Sequence, residues 1–253
     1  AISAGGQKKL LEGFNPKLEG FVHVEFNNLE AIEKKIDEET AAILIETVQG
    51  EGGVTPAKKD YLIGLKAIAK KNNILLFFDE VQCGVGRTGK FLAVEWVKSL
   101  EPNLVAIAKG IGGGFPLGAL LLDKKVSKVM TPGSHGSTFG GNPLGMSVAD
   151  VVLNYVLRED FLDHVRNIGY NLRKKLSEEI VKKYPKLVCG VRGIGLMIGL
   201  EAKVENTLLI DALRQQRLLT VKAGQNVIRM LPPLILEMKH VDEAIEKIDK
   251  AFS

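Results

Sequence analysis

Short apolar runs mark the first half of the chain, at Ala41–Ile45, Ile74–Phe78 and Leu104–Ala108. Runs of this kind, rich in branched and aromatic residues, are typical of parallel strands buried on both faces. Between the first two, residues 58–71 place apolar side chains at helical spacing, which predicts an amphipathic crossover helix. The order strand, helix, strand favours an α/β fold with helices packed on a mostly parallel central sheet. Leu117–Leu122 predicts one further strand.

Helices are predicted in the middle of the chain. Asn142 followed by Pro143 is a good helix start, because asparagine caps the first turn and proline is tolerated at the first helical position. We expect this helix to end near Leu157, with a buried stripe made of Val148, Val151, Val152, Tyr155 and Val156. A second helix is expected over Phe161–Lys183, and its predicted inner face comprises Leu162, Val165, Ile168, Leu172, Leu176 and Ile180.

The pattern changes after these helices. Short predicted strands near 187–191, 196–201 and 226–230 alternate with predicted helices near 207–217 and 240–252. This alternation indicates a smaller α+β domain. We therefore predict a large α/β domain over residues 1–155 and a smaller C-terminal α+β domain over residues 156–253.

Composition excludes several classes of function. With 253 residues, 45% of them hydrophobic, the chain can bury a substantial core. The net charge of +4 comes from interspersed acids and bases, which gives no reason to expect nucleic acid or an anionic membrane as partner. The apolar runs are too short to cross a bilayer. Cys83 and Cys189 lack metal-ligand spacing, so we expect no metal site and unpaired thiols in a reducing compartment, the cytoplasm.

The first candidate chemistry lies where the predicted strands end. Glu46, Asp79 and Lys109 each follow one of the three apolar runs. In an open parallel sheet, ligands bind beyond the carboxyl ends of the strands, so two carboxylates and an amine should converge there. Each residue alone could be a helix cap or a surface charge, but three such positions together favour a site. Glycine-rich loops follow all three and allow the backbone to approach a ligand closely.

One of these loops matches two nucleotide motifs imperfectly. Gly84, Gly86 and Gly89 fit the dinucleotide pattern G-x-G-x-x-G, yet no helical pattern begins after Gly89 to hold a pyrophosphate. The same stretch approaches a phosphate-binding loop, but Phe91 stands where the magnesium-binding hydroxyl belongs. Chance glycines in a loop explain both matches, and an NTPase stays a remote alternative. Residues 135–141, with two hydroxyls and several glycines, suit a phosphate monoester, although a flexible turn is the simpler interpretation.

Several segments together resemble the class III pyridoxal-phosphate aminotransferases. They are Glu46–Gly53, Phe78–Gly89, Ala108–Gly118, His135–Gly145 and Val227–Pro233. The resemblance runs from Ala1 to the C-terminus and is carried by highly specific motifs. It implies the fold type I of pyridoxal-phosphate enzymes, pyridoxal 5′-phosphate as the cofactor, and a homodimer whose active site is shared across the interface.

The resemblance also implies roles for single residues around the cofactor. Lys109 would bind the cofactor aldehyde covalently and later move the proton of the substrate. Asp79 would pair with the pyridine nitrogen and keep it protonated, which makes the ring an electron sink. Gln82 would contact the ring hydroxyl. Ser137 and Thr138 match a hydroxyl pair that, in this family, reaches the phosphate of the neighbouring subunit's cofactor.

Further matching positions would recognise the substrates. Arg229 would bind the α-carboxylate of glutamate or 2-oxoglutarate, because its planar guanidinium suits bidentate recognition. Glu51 would mask Arg229 while an ω-amine donor such as acetylornithine is bound, and the pair would open for the dicarboxylic acceptor. Glu46 would shape this region without an assigned step.

The implied reaction is transfer of the δ-amino group of N-acetylornithine to 2-oxoglutarate, in arginine biosynthesis. The run Gly112–Pro116 favours the branch of the family that uses N-acetylornithine as donor. Succinyldiaminopimelate, ornithine or 4-aminobutyrate could be the donor instead. A glutamate-semialdehyde aminomutase has a similar run, but Glu51 opposite Arg229 argues against it, because that enzyme has no dicarboxylate half-reaction to gate.

The sequence also departs from the family's pattern. A full-length member carries a long stretch before the position of Ala1, which supplies the phosphate-binding glycine loop, the aromatic ring stacked on the cofactor and an arginine for the donor carboxylate. An alternative is therefore a catalytically incomplete fragment or assembly partner. Thr47 stands where the family usually has proline, which we expect to alter the stiffness of a turn more than its chemistry.

Overall fold

The computed structural model describes residues 1–253, except for the side chain of Lys8. The chain forms two compact units, Ala1–Ala41 and Ala42–Ser253. The first unit contains two short helices, α1 (Lys8–Leu11) and α2 (Leu29–Glu33). All candidate site residues belong to the second unit.

The second unit alternates strands and helices along most of its length. Its strands are β1 (Ala42–Glu46), β2 (Val48–Gln49), β3 (Thr55–Pro56), β4 (Leu75–Asp79), β5 (Leu104–Ile107), β6 (Ala119–Leu122), β7 (Val188–Ile194), β8 (Met197–Ala202), β9 (Val221–Ala223) and β10 (Val227–Met230). Its α-helices are α3 (Lys59–Lys71), α4 (Pro143–Val156), α5 (Glu159–Lys175), α6 (Asn206–Gln215) and α7 (Met238–Phe252). Short 3-10 helices span Ala93–Trp96, Lys109–Gly112 and Val126–Val129, and a π-helical turn spans Leu176–Val181.

The first sheet has the order β1-β4-β5-β6. Strands β1, β4 and β5 are parallel, which confirms the prediction from the apolar runs. Strand β6 pairs with β5 in the antiparallel direction. Burial is less complete than predicted, since Leu44 on β1 is 45% exposed. This sheet places the ends of β1 and β4 and the chain after β5 at one edge.

Helices α3 and α5 bury the faces that their periodicity predicts. Every apolar position of the predicted crossover stripe is buried in α3, namely Tyr61, Leu62, Leu65, Ile68 and Ala69. The predicted inner face of α5 is buried as well and continues through Leu176 and Ile180 in the π-helical turn. Sequence periodicity therefore identified both the existence of these helices and the direction in which they face.

Helix α4 begins and ends as predicted, but its buried face is different. Asn142 caps it by accepting a hydrogen bond from the Gly145 amide. Its buried residues are Gly145, Ala149 and Val156, whereas Val151 and Tyr155 of the predicted stripe are 69% and 49% exposed. Apolar side chains surround much of this helix, so periodicity could not single out the narrow face made of small residues.

The second sheet has the order β7-β8-β10-β9 and is antiparallel throughout. Its central strands β8 and β10 supply several fully buried residues, including Ile198, Leu200 and Ile228. The strands and helices predicted after residue 187 are all present. The boundary predicted between residues 155 and 156 falls within the last turn of α4 and stays a prediction.

Candidate active site

Charged residues converge at the carboxyl ends of the parallel strands of the first sheet. Glu46 and Asp79 are register partners at the ends of β1 and β4, and Asp79 pairs in turn with Ala106 on β5. Lys109 follows just beyond that strand. Burial raises the pKa of the Glu46 carboxyl; the Asp79 carboxylate raises it further and the Lys109 ammonium lowers it. Asp79 and Lys109 therefore both lie within electrostatic reach of Glu46.

Lys109 occupies an unusual backbone position. It opens the 3-10 helix Lys109–Gly112 with φ +47°, in the left-handed region that side chains other than glycine rarely adopt. Such a conformation persists only where the surroundings enforce it, and it is common at functional sites. The side chain is exposed. An amine is thus presented to solvent at the strand ends.

Arg229 lies on β10 in the second sheet and is 7% exposed. Its Nη1 atom is 2.6 Å from Glu51 Oε1 and donates to Gln82 Oε1 at 3.0 Å. Among the described residues its buried Nε atom has no hydrogen-bond partner. The structure thus brings together the predicted carboxylate-binding arginine, the predicted masking glutamate and the predicted ring-contacting amide. A buried guanidinium with one unused donor is suited to a second carboxylate.

The turn between β2 and β3 carries Glu51 and is tied to the strand ends. The Gly50 amide donates to Glu46 Oε2 at 3.0 Å. A Cβ atom placed on Gly50 would lie 2.0 Å from Gln82 Oε1, so a side chain here would displace the Gln82 amide. Glu46 thereby holds the start of the turn, and its predicted role toward the substrates stays a prediction.

Sequence reasoning missed Glu80, which is fully buried next to Asp79. Its carboxylate accepts hydrogen bonds from the Thr47 hydroxyl at 2.7 Å and from the amides of Ala93 and Val94, both at 2.8 Å. The Cys83 thiol donates to it as well. Burial raises the pKa of Glu80, and these hydrogen bonds partly oppose the rise. A charged residue directly after a strand of buried residues was the available signal.

Thr47 therefore does more than the sequence suggested. Its side chain is buried and its hydroxyl donates to a buried carboxylate, which proline could not do. The expected effect on the stiffness of the turn stays a prediction, and the structure adds a buried hydrogen bond to it. The contribution of Thr47 is a hydrogen bond that joins the end of β1 to the residue after β4.

The loop over residues 84–89 packs against other parts of the chain, including Leu196 and Pro232. The Arg87 carbonyl accepts a hydrogen bond from the Leu196 amide at 3.0 Å. Arg87 Nη1 donates a hydrogen bond to the Pro232 carbonyl at 2.5 Å. Burial lowers the pKa of Arg87 to about 10. A Cβ atom on Gly86 would meet Val156 at 2.8 Å. These glycines serve close packing, in agreement with the interpretation that the two nucleotide motifs arise by chance.

In the contacts described, Ser137 and Thr138 have no partner at this site. Residues 131–141 are exposed throughout, and the hydrogen bonds described for Ser137 and Phe139 stay within the neighbouring residues. Their predicted role toward a cofactor phosphate stays a prediction.

Cys83 and Cys189 are both free thiols, as predicted. Within the described part of the chain, no cluster of three or more histidine, cysteine or carboxylate side chains could hold a metal ion. Among the same residues, no helix combines the length and apolar content needed to cross a bilayer.

Comparison with characterised sequences identifies the family. The family model described as Aminotransferase class-III matches residues 1–252. The acetylornithine aminotransferase of Mesorhizobium japonicum is 50% identical over 247 residues, which cover 98% of this chain and 61% of that protein. The acetylornithine aminotransferase of Aquifex aeolicus is 45% identical, with 97% of this chain and 62% of that protein covered. The chain therefore spans less than two thirds of the length of these relatives.

Solved structures agree with this assignment. The ornithine aminotransferase of Toxoplasma gondii ME49 superposes with a TM-score of 0.92 at 31% identity, covering 100% of this chain and 61% of that one. A second structure of that enzyme is described with partial occupancy of PLP at its active site. The N-acetylornithine aminotransferase of Stenotrophomonas maltophilia K279a superposes with a TM-score of 0.83 at 33% identity, covering 92% of this chain and 62% of that one. This chain belongs to the class III aminotransferase family.

Proposed function

We propose that the protein is an aminotransferase that moves the δ-amino group of N2-acetyl-L-ornithine to 2-oxoglutarate. The products would be N-acetyl-L-glutamate 5-semialdehyde and L-glutamate, as in arginine biosynthesis. The observation that carries the proposal is the contact between Glu51 and the buried Arg229, at 2.6 Å. A site that accepts a dicarboxylate in one half-reaction and an ω-amine in the other needs a cation that can be masked.

The residues present fit pyridoxal 5′-phosphate as the cofactor. Lys109 offers an exposed amine for an aldehyde, Asp79 a carboxylate for a pyridinium nitrogen, and Gln82 an amide for a ring hydroxyl. The bound cofactor would supply an electron sink that stabilises negative charge on the carbon from which a proton is removed. Ser137 and Thr138 would contribute hydroxyls to the phosphate of the neighbouring subunit's cofactor in a homodimer.

The chain's own residues would bind the substrates and move the proton. Lys109, once released from the cofactor, would act as the general base and acid at the amine-bearing carbon of the substrate. Asp79 would place its carboxylate opposite the ring nitrogen. Asp79 Oδ1 accepts a hydrogen bond from the Val81 amide at 3.0 Å, and this bond fixes the orientation of the carboxylate.

The gate would work through the charge on Arg229. With Glu51 in place, the charge of the Arg229 guanidinium is neutralised. An amine donor can then enter without its carboxylate being attracted to Arg229. When 2-oxoglutarate enters, its α-carboxylate would replace Glu51 on Arg229 and could use the unpaired Nε donor. Glu51 is 55% exposed at its side chain, so leaving the pair returns it to water at little cost.

Ornithine is the second candidate donor, because an ornithine aminotransferase superposes with a TM-score of 0.92. Succinyldiaminopimelate and 4-aminobutyrate are further alternatives within the same reaction. A chain that is catalytically incomplete without additional residues is the remaining possibility, and the coverage of 61% of a relative motivates it. Two free thiols and relatives that are metabolic enzymes of bacteria favour a cytoplasmic location.

Steady-state kinetics with a panel of donors test the proposal in the protein as its gene encodes it. We expect kcat/KM to be largest for N-acetylornithine, with ornithine, succinyldiaminopimelate and 4-aminobutyrate lower by about tenfold or more. A higher kcat/KM for one of the other donors would reassign the substrate. Absence of glutamate formation with every donor, at saturating pyridoxal phosphate, would contradict the proposed reaction.

A further inference from the structure

The turn that carries Glu51 rests on a second turn, which joins β9 to β10. We call residues 224–226 the support turn. The Gly224 amide donates to the Glu51 carbonyl at 2.8 Å. A Cβ atom on Gly53 would lie 2.6 Å from the Gly224 carbonyl oxygen, and one on Gly224 would lie 3.1 Å from the Glu51 carbonyl oxygen. The two backbones therefore touch, and the position of Glu51 depends on the support turn.

Both turns contain backbone conformations that require external support. In the support turn, Gln225 and Asn226 have φ values of +55° and +58°, and Val54 after the Glu51 turn has +52°. A β-branched residue with positive φ is a genuine outlier, and conformations of this kind persist only when surrounding contacts hold them. Asn226 is held by its side-chain amide, which donates to the carbonyls of Ala202 and Val204.

Arg192 on β7 supports both the Glu51 turn and the support turn. It is the register partner of Gly199 on β8, and Gly199 is also the register partner of Arg229 on β10. The two arginines therefore project from the same face of the sheet, on either side of a glycine. Val54 fills the space above Gly199, because a Cβ atom there would meet the Val54 Cβ at 3.0 Å.

The guanidinium of Arg192 contacts both turns. Its Nη1 donates to Gln225 Oε1 in the support turn at 2.8 Å. Its Nη2 lies 3.0 Å from the position that a Cβ on Gly53 would occupy, which places it against the Glu51 turn. Its only ion pair in the described part of the chain is a long one, 3.7 Å from Nε to Glu201 Oε1. Arg192 is therefore committed mainly to the two turns.

We propose that Arg192 is a positioning residue for the Glu51–Arg229 gate: it clamps the support turn to the Glu51 turn and so holds Glu51 over Arg229. The role in substrate selection rests on the proposed function, whereas the clamp itself does not. Loss of the clamp would loosen Glu51, leave Arg229 less neutralised, and disfavour the step in which an amine donor enters. The acceptor step would not suffer, because 2-oxoglutarate displaces Glu51 in any case.

The clamp is tested without any activity by amide hydrogen exchange in Arg192→Met. We expect faster exchange in peptides covering residues 48–56 and 221–230, with unchanged exchange in β1 and β4. Arg173→Met is the matched control, since Arg173 is a partly buried arginine that donates to the Gly195 carbonyl at 2.7 Å and touches neither turn in the contacts described. Gly224→Ala, whose added Cβ would press on the Glu51 carbonyl, should reproduce the Arg192→Met pattern.

Kinetics then test the role in selection. For Arg192→Met we expect kcat/KM for the amino donor to fall roughly tenfold, the effect of losing a charged hydrogen bond, while kcat/KM for 2-oxoglutarate changes less than about twofold. Arg192→Lys, which keeps the charge, should recover part of the loss. Equal losses for donor and acceptor, or unchanged exchange in both turns, would overturn the proposal. Faster exchange in an enzyme with no transaminase activity would keep the clamp and reject the proposed function.

Discussion

The strand-end region and the segment 131–141 differ sharply in how their structure is supported. Glu80 alone accepts hydrogen bonds from a side-chain hydroxyl and two backbone amides beside Asp79, and Glu46 accepts one from Gly50. Residues 131–141 are exposed throughout, although they carry Ser137 and Thr138. The first region is positioned by contacts within the chain. The second would have to acquire its partners from another subunit or from a ligand.

This difference separates what the chain determines by itself from what it supplies to an assembly. Parallel strands bring Glu46 and Asp79 together because register partners lie side by side, whatever else is bound. Among the described contacts, no comparable set of hydrogen bonds holds the hydroxyls of Ser137 and Thr138. We therefore expect substitutions at the strand ends to have large effects, and substitutions in 131–141 to have small effects on stability.

The largest effect should follow from Lys109→Ala. If the amine carries the proton at the reacting carbon, activity should fall by about 10²–10⁴-fold. Transaminase activity at saturating cofactor measures this. The exposed Lys125→Ala should retain full activity, and similar losses in both variants would indicate a general effect of charge.

Arg229→Lys should give the next largest effect. Lysine keeps the positive charge but not the planar pair of donors, so we expect KM for 2-oxoglutarate to rise about tenfold or more. The donor half-reaction, followed alone without 2-oxoglutarate, should change less. An unchanged dependence on 2-oxoglutarate would exclude Arg229 as the carboxylate-binding residue.

Thr47→Val removes a donor from a buried carboxylate while nearly preserving side-chain volume. The free energy of unfolding should fall by about 1–3 kcal/mol, the cost of leaving a buried polar group short of a partner. Chemical denaturation measures the change. Thr47→Ser keeps the hydroxyl and should lose less; equal losses in both variants would show that the methyl group matters more than the hydrogen bond.

Glu80→Gln should alter the pH dependence of stability. Because the pKa of Glu80 is raised above its usual 4.5, the folded state holds a proton that the unfolded state has lost. The contribution of Glu80 is thus fully present below pH 4.5 and is lost as pH rises through the folded pKa. Above pH 4.5, the free energy of unfolding should therefore fall less steeply with pH in Glu80→Gln than in the unsubstituted protein. An unchanged slope would mean that Glu80 titrates normally.

The smallest effect on stability should come from Ser137→Ala and Thr138→Ala. Both side chains are exposed, so each change should alter the free energy of unfolding by less than about 0.5 kcal/mol. Weaker binding of pyridoxal phosphate in the assembled protein, with unchanged stability, would place these hydroxyls in the cofactor site. Unchanged cofactor affinity would remove them from it.

Local patterns predicted much of the fold and the charged core of the candidate site. Strand ends were visible because apolar runs stop just before Glu46, Asp79 and Lys109, and strand register then places Glu46 beside Asp79. The contacts that support them join distant parts of the chain. Thr47 bonds a residue 33 positions away, and Gln82 meets Arg229 over 147 positions.

Other features escaped prediction for related physical reasons. The buried face of α4 was misassigned because valines surround the helix while Gly145 and Ala149 make the close contacts. The support from Arg192 depends on a shared register partner, Gly199, which only the pairing of β7, β8 and β10 reveals. Which strands become neighbours depends on contacts between distant parts of the chain, which the local pattern of a single strand does not specify.

The most direct test of the account is to locate the lysine that pyridoxal phosphate modifies. The protein would be incubated with the cofactor, reduced with borohydride, digested, and mapped by mass spectrometry. We predict that the pyridoxyl group is found on the peptide containing Lys109 and that Asp79→Ala weakens this labelling. Labelling on a different lysine, or spread over the surface lysines without preference, would contradict the assignment of the strand-end site.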